Sequence, residues 1–292
     1  MKNIRRLRMK KKGRICGAIG LILSLALAGG TVVYGTMFHG NTVGKAEKPF
    51  GGASTGNVFD GWLNQAGFDE TKKLVDESDA LVNGTAAENA KYKSFSLSVV
   101  AGTTIAEKTG ETYKVTQVQG EYQIYTDKNY TYVKSLMRTT EGRTATVVAQ
   151  EYALNKSANA WFIRTNPSEL TETPDDILLS DKAKWERIPL TGAALDGFFA
   201  VLSKNFTAVN DSNHPYIDAT GEYFFDISSQ LAEKETGMCR FTVGTCPTIR
   251  YSTELSKKDS PDRYGTTSAT FRYSHLNNTE VNIPASLEEA MK

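Results

Sequence analysis

From Lys93 onward, apolar and polar positions alternate with a period of two. In "SFSLSV", Phe95, Leu97 and Val99 fall on one side and Ser94, Ser96 and Ser98 on the other, the pattern of a strand with one buried and one wet face. Further strand-like runs are "TYKVTQV", "EYQIYT", "YTYVKSLM", "TATVVAQEY", "WFIRT" and "KWERIPL", and later "EYFFDIS", "CRFTVGT" and "TIRYSTEL". Polar turns such as Asp127-Lys128-Asn129 and Glu141-Gly142 join neighbours tightly enough to predict antiparallel pairing. The stretch "SATFRYSHLNNTEVNIPASLEEA" reads as a last hairpin. Ala269, Phe271 and Tyr273 lie on its first arm, Asn277 and Asn278 in its turn, and Val281 and Ile283 on its second. Pro189 and Pro284 end strands, and Ser286 and Glu289 have the spacing of a capping box opening a short helix.

The period changes to 3.6 in three places. Phe59, Trp62, Leu63 and Ala66 form one helical stripe; after Gly67 the pattern resumes with Leu74, Val75, Leu81 and Val82 and stops at Asn83-Gly84. Within "TGAALDGFFAVLSKNF", Leu195, Phe198, Phe199, Leu202 and Phe206 keep one face apolar, and Thr191 is placed to cap the start. Strands do not alternate with helices as in doubly wound folds, so the pattern predicts an α+β protein built on an antiparallel sheet.

Charge adds an address. Residues 1–14, "MKNIRRLRMKKKGR", carry eight basic groups and no acid. Removing these eight from the chain's 34 basic residues leaves 26 against 33 acidic ones, a net −7, which argues against a nucleic-acid partner. Next comes Ile15 to Phe38, an uncharged apolar run long enough to cross a bilayer as a helix. With basic residues on one flank only, that flank stays cytoplasmic and the rest is exported. Two exported readings lead, a retained anchor or a signal peptide cleaved after Ala28 at Ala26-Leu27-Ala28, which would release the protein; the buried core helix of a cytoplasmic protein is a third that the flanking charges oppose. Residues 39–58 are rich in glycine and small polar residues and read as a tether. The predicted organisation is a basic segment 1–14, an anchor or signal 15–38, a tether 39–58 and an extracytoplasmic domain 59–292.

Export bears on the cysteines. Cys16 lacks the preceding residues of a lipidation site and reads as a membrane residue. Cys239 and Cys246 bracket "RFTVGT", and in an oxidising compartment they are expected to close a local disulfide; two free thiols or half a metal site is the other reading.

The meander "YQIYTDKNYTYVKS", then "AWFIRT" and "KWERIPL", an amphipathic helix, more strands and the terminal "ATFRYSHLNNTEVNIP" together resemble extracytoplasmic proteins of the LolA-like or LppX-like fold, over about residues 59–290. The resemblance implies a strongly curved antiparallel half-barrel with helices on its concave face and a cavity that accepts acyl chains. It assigns no ligand contact residue by residue, and the Cys239 and Cys246 pair has no place in the family pattern. The helix stripe Leu195, Phe198, Phe199 and Leu202 is the expected wall of such a cavity, with ordinary core packing as its competing role.

Other chemistry is thinly supplied. "GASTG", Gly52 to Gly56, matches Gly-x-Ser-x-Gly but lies in the tether without the strand-to-helix elbow that exposes a nucleophile. The histidines are His39, His214 and His275, a poor basis for a triad. Asp211, Asn213 and Glu222 resemble a calcium loop, but Pro215 and Tyr216 occupy positions that need an oxygen ligand and a glycine. The sequence therefore predicts a non-enzymatic protein without cofactor or metal. Its expected function is to bind a lipid or acyl ligand or a cell-envelope partner, or, alternatively, to act as a sensor or assembly ectodomain through protein contacts.

Overall fold

A computed structural model describes residues 62–165, 183–188, 196–207, 209, 215–217 and 221–292. The basic segment, the apolar run 15–38, the tether, Thr191 and Leu195 lie outside them. Among the described residues no helix is long and apolar enough to cross a membrane.

Helix α1 (Trp62–Val82) is followed by β1 (Phe95–Thr109), β2 (Thr112–Thr126), β3 (Tyr130–Glu141), β4 (Thr144–Asn155), β5 (Ala160–Thr165) and β6 (Glu186–Ile188). Then come α2 (Asp196–Thr207), β7 (Tyr216–Ile217), β8 (Tyr223–Asp226), a short 3-10 turn (Ser228–Gln230), β9 (Glu235–Thr242), β10 (Thr248–Leu255), β11 (Arg263–Ser274) and α3 (Ala285–Ala290). All eleven strands form one antiparallel, unclosed sheet in the order β6-β5-β4-β3-β2-β1-β11-β10-β9-β8-β7. The first and last strands thus pair at the centre, with Val99 opposite Phe271, while β6 and β7 sit at opposite edges and the connection between them carries α2.

One face, called inner here, holds α1. The Phe68 ring lies 6.0 Å from Phe225 and 6.4 Å from Phe241, and Thr131 Oγ1 donates to Val82 O at 2.8 Å. The helix runs unbroken through Gly67, where the sequence predicted an interruption. A Cβ on Gly67 would stand 3.1 Å from Cζ of Tyr223 and 3.3 Å from Cγ1 of Val243, so this glycine lets helix and sheet approach closely. Likewise "TYKVTQV" and "EYQIYT" are one strand, β2, continuous through Gly120. The Tyr122 ring lies back over that position, and a Cβ there would meet it at 2.7 Å.

The expected closing hairpin is corrected. β11 lies between β1 and β10, so a strand following it has no free edge to join. Instead His275 and Asn277 take positive φ, 52° and 60°, and turn the chain, with Asn277 N donating to Ser94 O at 2.7 Å. Val281 N donates to Asp127 Oδ2 at 2.9 Å. Val281 and Leu287 are then buried against Tyr132, Ala153, Ala160 and Phe162, on the outer face of β3 to β5. The capping box does not form either. Pro284 is the N-cap of α3 without a side-chain cap bond, and Ser286 Oγ instead accepts from Trp185 Nε1 at 3.3 Å.

Candidate functional site: the inner face of the sheet

The register assigns inner positions strand by strand. On β1 they are Phe95, Leu97, Val99, Ala101, Thr103 and Ile105, and their partners on β11 run Tyr273, Phe271, Ala269, Thr267 and Gly265. Large apolar groups fill one end of this face. The Phe206 ring of α2 lies 5.2 Å from Phe68, 5.4 Å from Phe225 and 5.5 Å from Phe241, and Tyr223 stacks on Phe241 at 5.0 Å with 12° between planes. Ring pairs at these separations add attraction beyond their buried area. Ser203 Oγ on α2 donates to Asp76 Oδ1 on α1 at 2.8 Å, tying the two helices together.

Of the four predicted ligand-wall residues, Phe199 and Leu202 are fully buried in this core, with no exposed surface. Phe198 belongs to α2 but its side chain lies outside the described residues, as does the whole of Leu195.

Farther along β1 and β11, and across the sheet on β4 to β6, the inner face changes character. Thr103 and Thr267 are buried and share a hydrogen bond of 3.1 Å between their hydroxyls. Tyr152 OH donates to Gln150 Oε1 at 2.9 Å, and Gln150 Nε2 donates to Thr165 Oγ1 at 3.0 Å. Around these groups the aliphatic residues Ile105, Val118, Val148, Ile163, Ile188 and Leu255 are only half-buried. Trp161, 3% exposed, belongs to the same face, and among the described residues its Nε1 has no hydrogen-bond partner.

The cysteine pair is corrected: Cys239 and Cys246 are both free thiols, the first buried and the second exposed. Cys239 stands opposite Tyr251, whereas Cys246 lies beyond the Thr242 and Thr248 pair that closes the strands. That places them about 10 Å apart along the ladder at about 3.3 Å per residue, beyond the Cα separation of about 7 Å that a disulfide spans. Burial, with the Glu222 charge as a smaller cause, holds the Cys239 thiol well above its ordinary range. Burial likewise raises the Tyr251 and Tyr273 phenols and pushes Tyr122 up to about 12.

Two polar clusters were not anticipated. A cleft of about 190 Å³ lies between α1 and the β9–β10 turn, with Leu74, Pro247 and Leu276 in its walls and Glu70, Lys91 and Tyr92 among its polar groups. Lys91 Nζ pairs with Glu70 Oε1, which also accepts from Tyr92 OH at 3.4 Å; the lysine bond holds the Glu70 carboxyl below its ordinary range. At the β4–β5 turn, Lys156 Nζ donates to Thr126 Oγ1 at 2.9 Å and to Asp127 O. Burial lowers Lys156 to about 8, against the opposing pull of Asp127. No sequence signal marks either cluster, because each joins residues from separate parts of the chain.

Reactive constellations are sparse on this surface. Among the described residues no group of three or more His, Cys, Asp or Glu is placed to hold a metal ion. Glu222 pairs with Arg240 at 3.4 Å and Arg250 at 2.7 Å, and Asp211, Asn213 and His214 lie outside the described residues. His275 is exposed beside Ser274. Gly52 to Gly56 also lie outside. In comparison with known proteins, the chain matches no family model and no curated sequence.

Proposed function

We propose that the chain is a non-enzymatic, membrane-tethered extracytoplasmic protein whose sheet curves into a half-barrel and holds an acyl chain or similar apolar ligand on its inner face. The LolA-like resemblance of the sequence supports this reading, and so does the span of α1. From Phe68, which packs on β8 and β9, to Val82, bonded to β3, the helix runs about 21 Å at about 1.5 Å per residue. A flat sheet would separate β8 from β3 by about 29 Å at about 4.8 Å per strand, so a sheet bent toward the helix fits the contacts better.

The observation that carries the ligand reading is the set of half-buried aliphatic residues Ile105, Val118 and Val148 on the inner face, beyond the filled aromatic end. Each methylene transferred from water onto such a surface contributes about 0.8 kcal/mol. Trp161 Nε1, buried on the same face, offers a donor to a carbonyl or carboxylate oxygen of an amphiphile. Phe199 and Leu202 then serve as core beneath the ligand, and Leu195 and Phe198, earlier on the same sequence stripe, remain proposed to face it.

A second reading, a sensor or assembly ectodomain acting through protein contacts, draws support from the solidly packed aromatic cluster. Organic extraction of the full chain purified from membranes, followed by mass spectrometry, separates the two. An acyl lipid near one per chain is expected, with Val148→Asp losing it at unchanged circular dichroism. Lipid-free protein with unchanged fold favours the second reading.

A further inference from the structure

Among the described residues, half of β4 has a neighbouring strand on one side only. β4 pairs along its full length with β3, from Thr144 opposite Glu141 to Asn155 opposite Tyr130. On its other side β5 covers only Gln150 to Asn155, and the ladder stops at Gln150 opposite Thr165. Continuing that register would set residue 167 opposite Val148. Residue 167 is Pro167, which has no N–H to donate to a ladder. Thr144, Ala145 and Thr146 are exposed, and Val147 and Val148 are half-buried. Among the described residues no strand lies on this side of Thr144 to Ala149.

Open edges are normally blunted by shortness, charge or proline. The two outermost strands of this sheet obey that rule, since β6 has three residues and β7 two. The segment Thr144-Ala145-Thr146-Val147-Val148-Ala149 does not: it is six residues long, uncharged, free of proline and rich in β-branched side chains.

We propose that this segment is a pairing edge and that it takes the same segment of a second copy, antiparallel, about a two-fold axis at Thr146. Residues opposite one another across an antiparallel pair lie on the same face, so only registers joining inner to inner positions are allowed. Centring the pair on Thr146 sets Thr144 against Val148 and Ala145 against Val147, stays clear of β5, and brings no like charges together. A centre on Val147 would instead push the partner onto Gln150, which β5 already occupies. Among the registers that stay clear of β5, this one pairs the longest stretch of the neutral edge, Thr144 to Val148, and two copies would join their sheets with the inner faces on the same side.

The test uses the full chain in detergent with Cys16→Ser and Cys246→Ser as background. In the proposed register the two Thr146 Cα atoms stand about 4.5–5.5 Å apart, within disulfide reach. Thr146→Cys should oxidise mainly to a linked dimer, at least fivefold more than Ala145→Cys, which would face Val147. In the Thr146→Cys chain, adding Ala145→Lys with Val147→Lys should abolish the dimer, and Ala145→Lys with Val147→Glu should restore it. Equal linking at residues 145 and 146, no linking at 146, or linking of residue 146 to a different protein would overturn the proposal.

Discussion

The two ends of the inner face are built differently. At the end under α1 and α2, Phe68, Phe206, Phe225 and Phe241 meet ring against ring, and Phe199 and Leu202 close the layer. At the other end, threonines share the face with half-buried aliphatic residues and β4 runs on past the end of its ladder with β5. The first end supplies the cooperative core that fixes helices to sheet. The second contributes less to stability, which leaves its shape available for a ligand or a partner. On the proposed reading, this separation keeps an apolar guest from competing with the core for the same contacts.

The largest effect that would break this contrast is at Phe241. Phe241→Ala removes a fully buried ring with four aromatic neighbours and should cost about 3–5 kcal/mol in denaturant unfolding. Val118→Ala at the other end should cost about 1 kcal/mol or less. Comparable losses would mean that both ends are core.

Next in size is Gly237, on the inner side of β9. A Cβ there would stand 2.7 Å from Cδ1 of Leu231 and 2.8 Å from Cγ1 of the fully buried Ile227. Gly237→Ala should destabilise by about 1–3 kcal/mol through overpacking, read as a lower unfolding midpoint at unchanged slope.

Alkaline titration sharpens the comparison further. Tyr251 and Tyr273 stay protonated in the fold well above their ordinary 10.0, and Cys239 above its ordinary 9.0. Above those ordinary values the unfolded chain releases protons that the folded chain retains, so stability present below about pH 9 falls as pH rises. Tyr273→Phe should flatten that fall in denaturant midpoints between pH 9 and 11. Lys156 works with the opposite sign. Its folded value near 8 lies below 10.5, so the cost of its buried charge is full below about pH 8 and is relieved toward 10.5. The stability of Lys156→Met relative to the parent chain should therefore decline over that interval.

The smallest effect is on the outer face. Ser286→Ala removes one partly exposed hydrogen bond to Trp185 and should cost about 0.5–1 kcal/mol without touching the inner face.

The alternation of Phe95, Leu97 and Val99 was legible because those side chains meet a solid core on one face and water on the other. The same strand continues to Thr109, but there the inner position is Thr103, whose hydroxyl is satisfied by Thr267 from a distant strand, so no periodic signal marks it. Gly67 and Gly120 read as interruptions, yet each accommodates a tyrosine ring, a close approach that local sequence does not record. The closing hairpin failed for a topological reason: the alternation of Val281 and Ile283 was real, but β11 had no free edge, so both residues turned to the outer face. The cysteine spacing suggested a staple because six residues can make a tight turn, whereas the actual ladder sets Cys239 deep in the strand and Cys246 past its end. Of the apolar stripe, Phe199, Leu202 and Phe206 lie in the core.

Photolabelling tests the central contrast most directly. A fatty acid carrying a diazirine at its methyl end would be irradiated with the full chain, and the labelled peptides mapped by mass spectrometry. The account predicts label on the β1, β2 and β4 peptides that hold Ile105, Val118 and Val148, competed away by unlabelled fatty acid, with none on Phe206, Phe225 or Phe241. Competable label on the aromatic cluster, or no competable label at all, would contradict it.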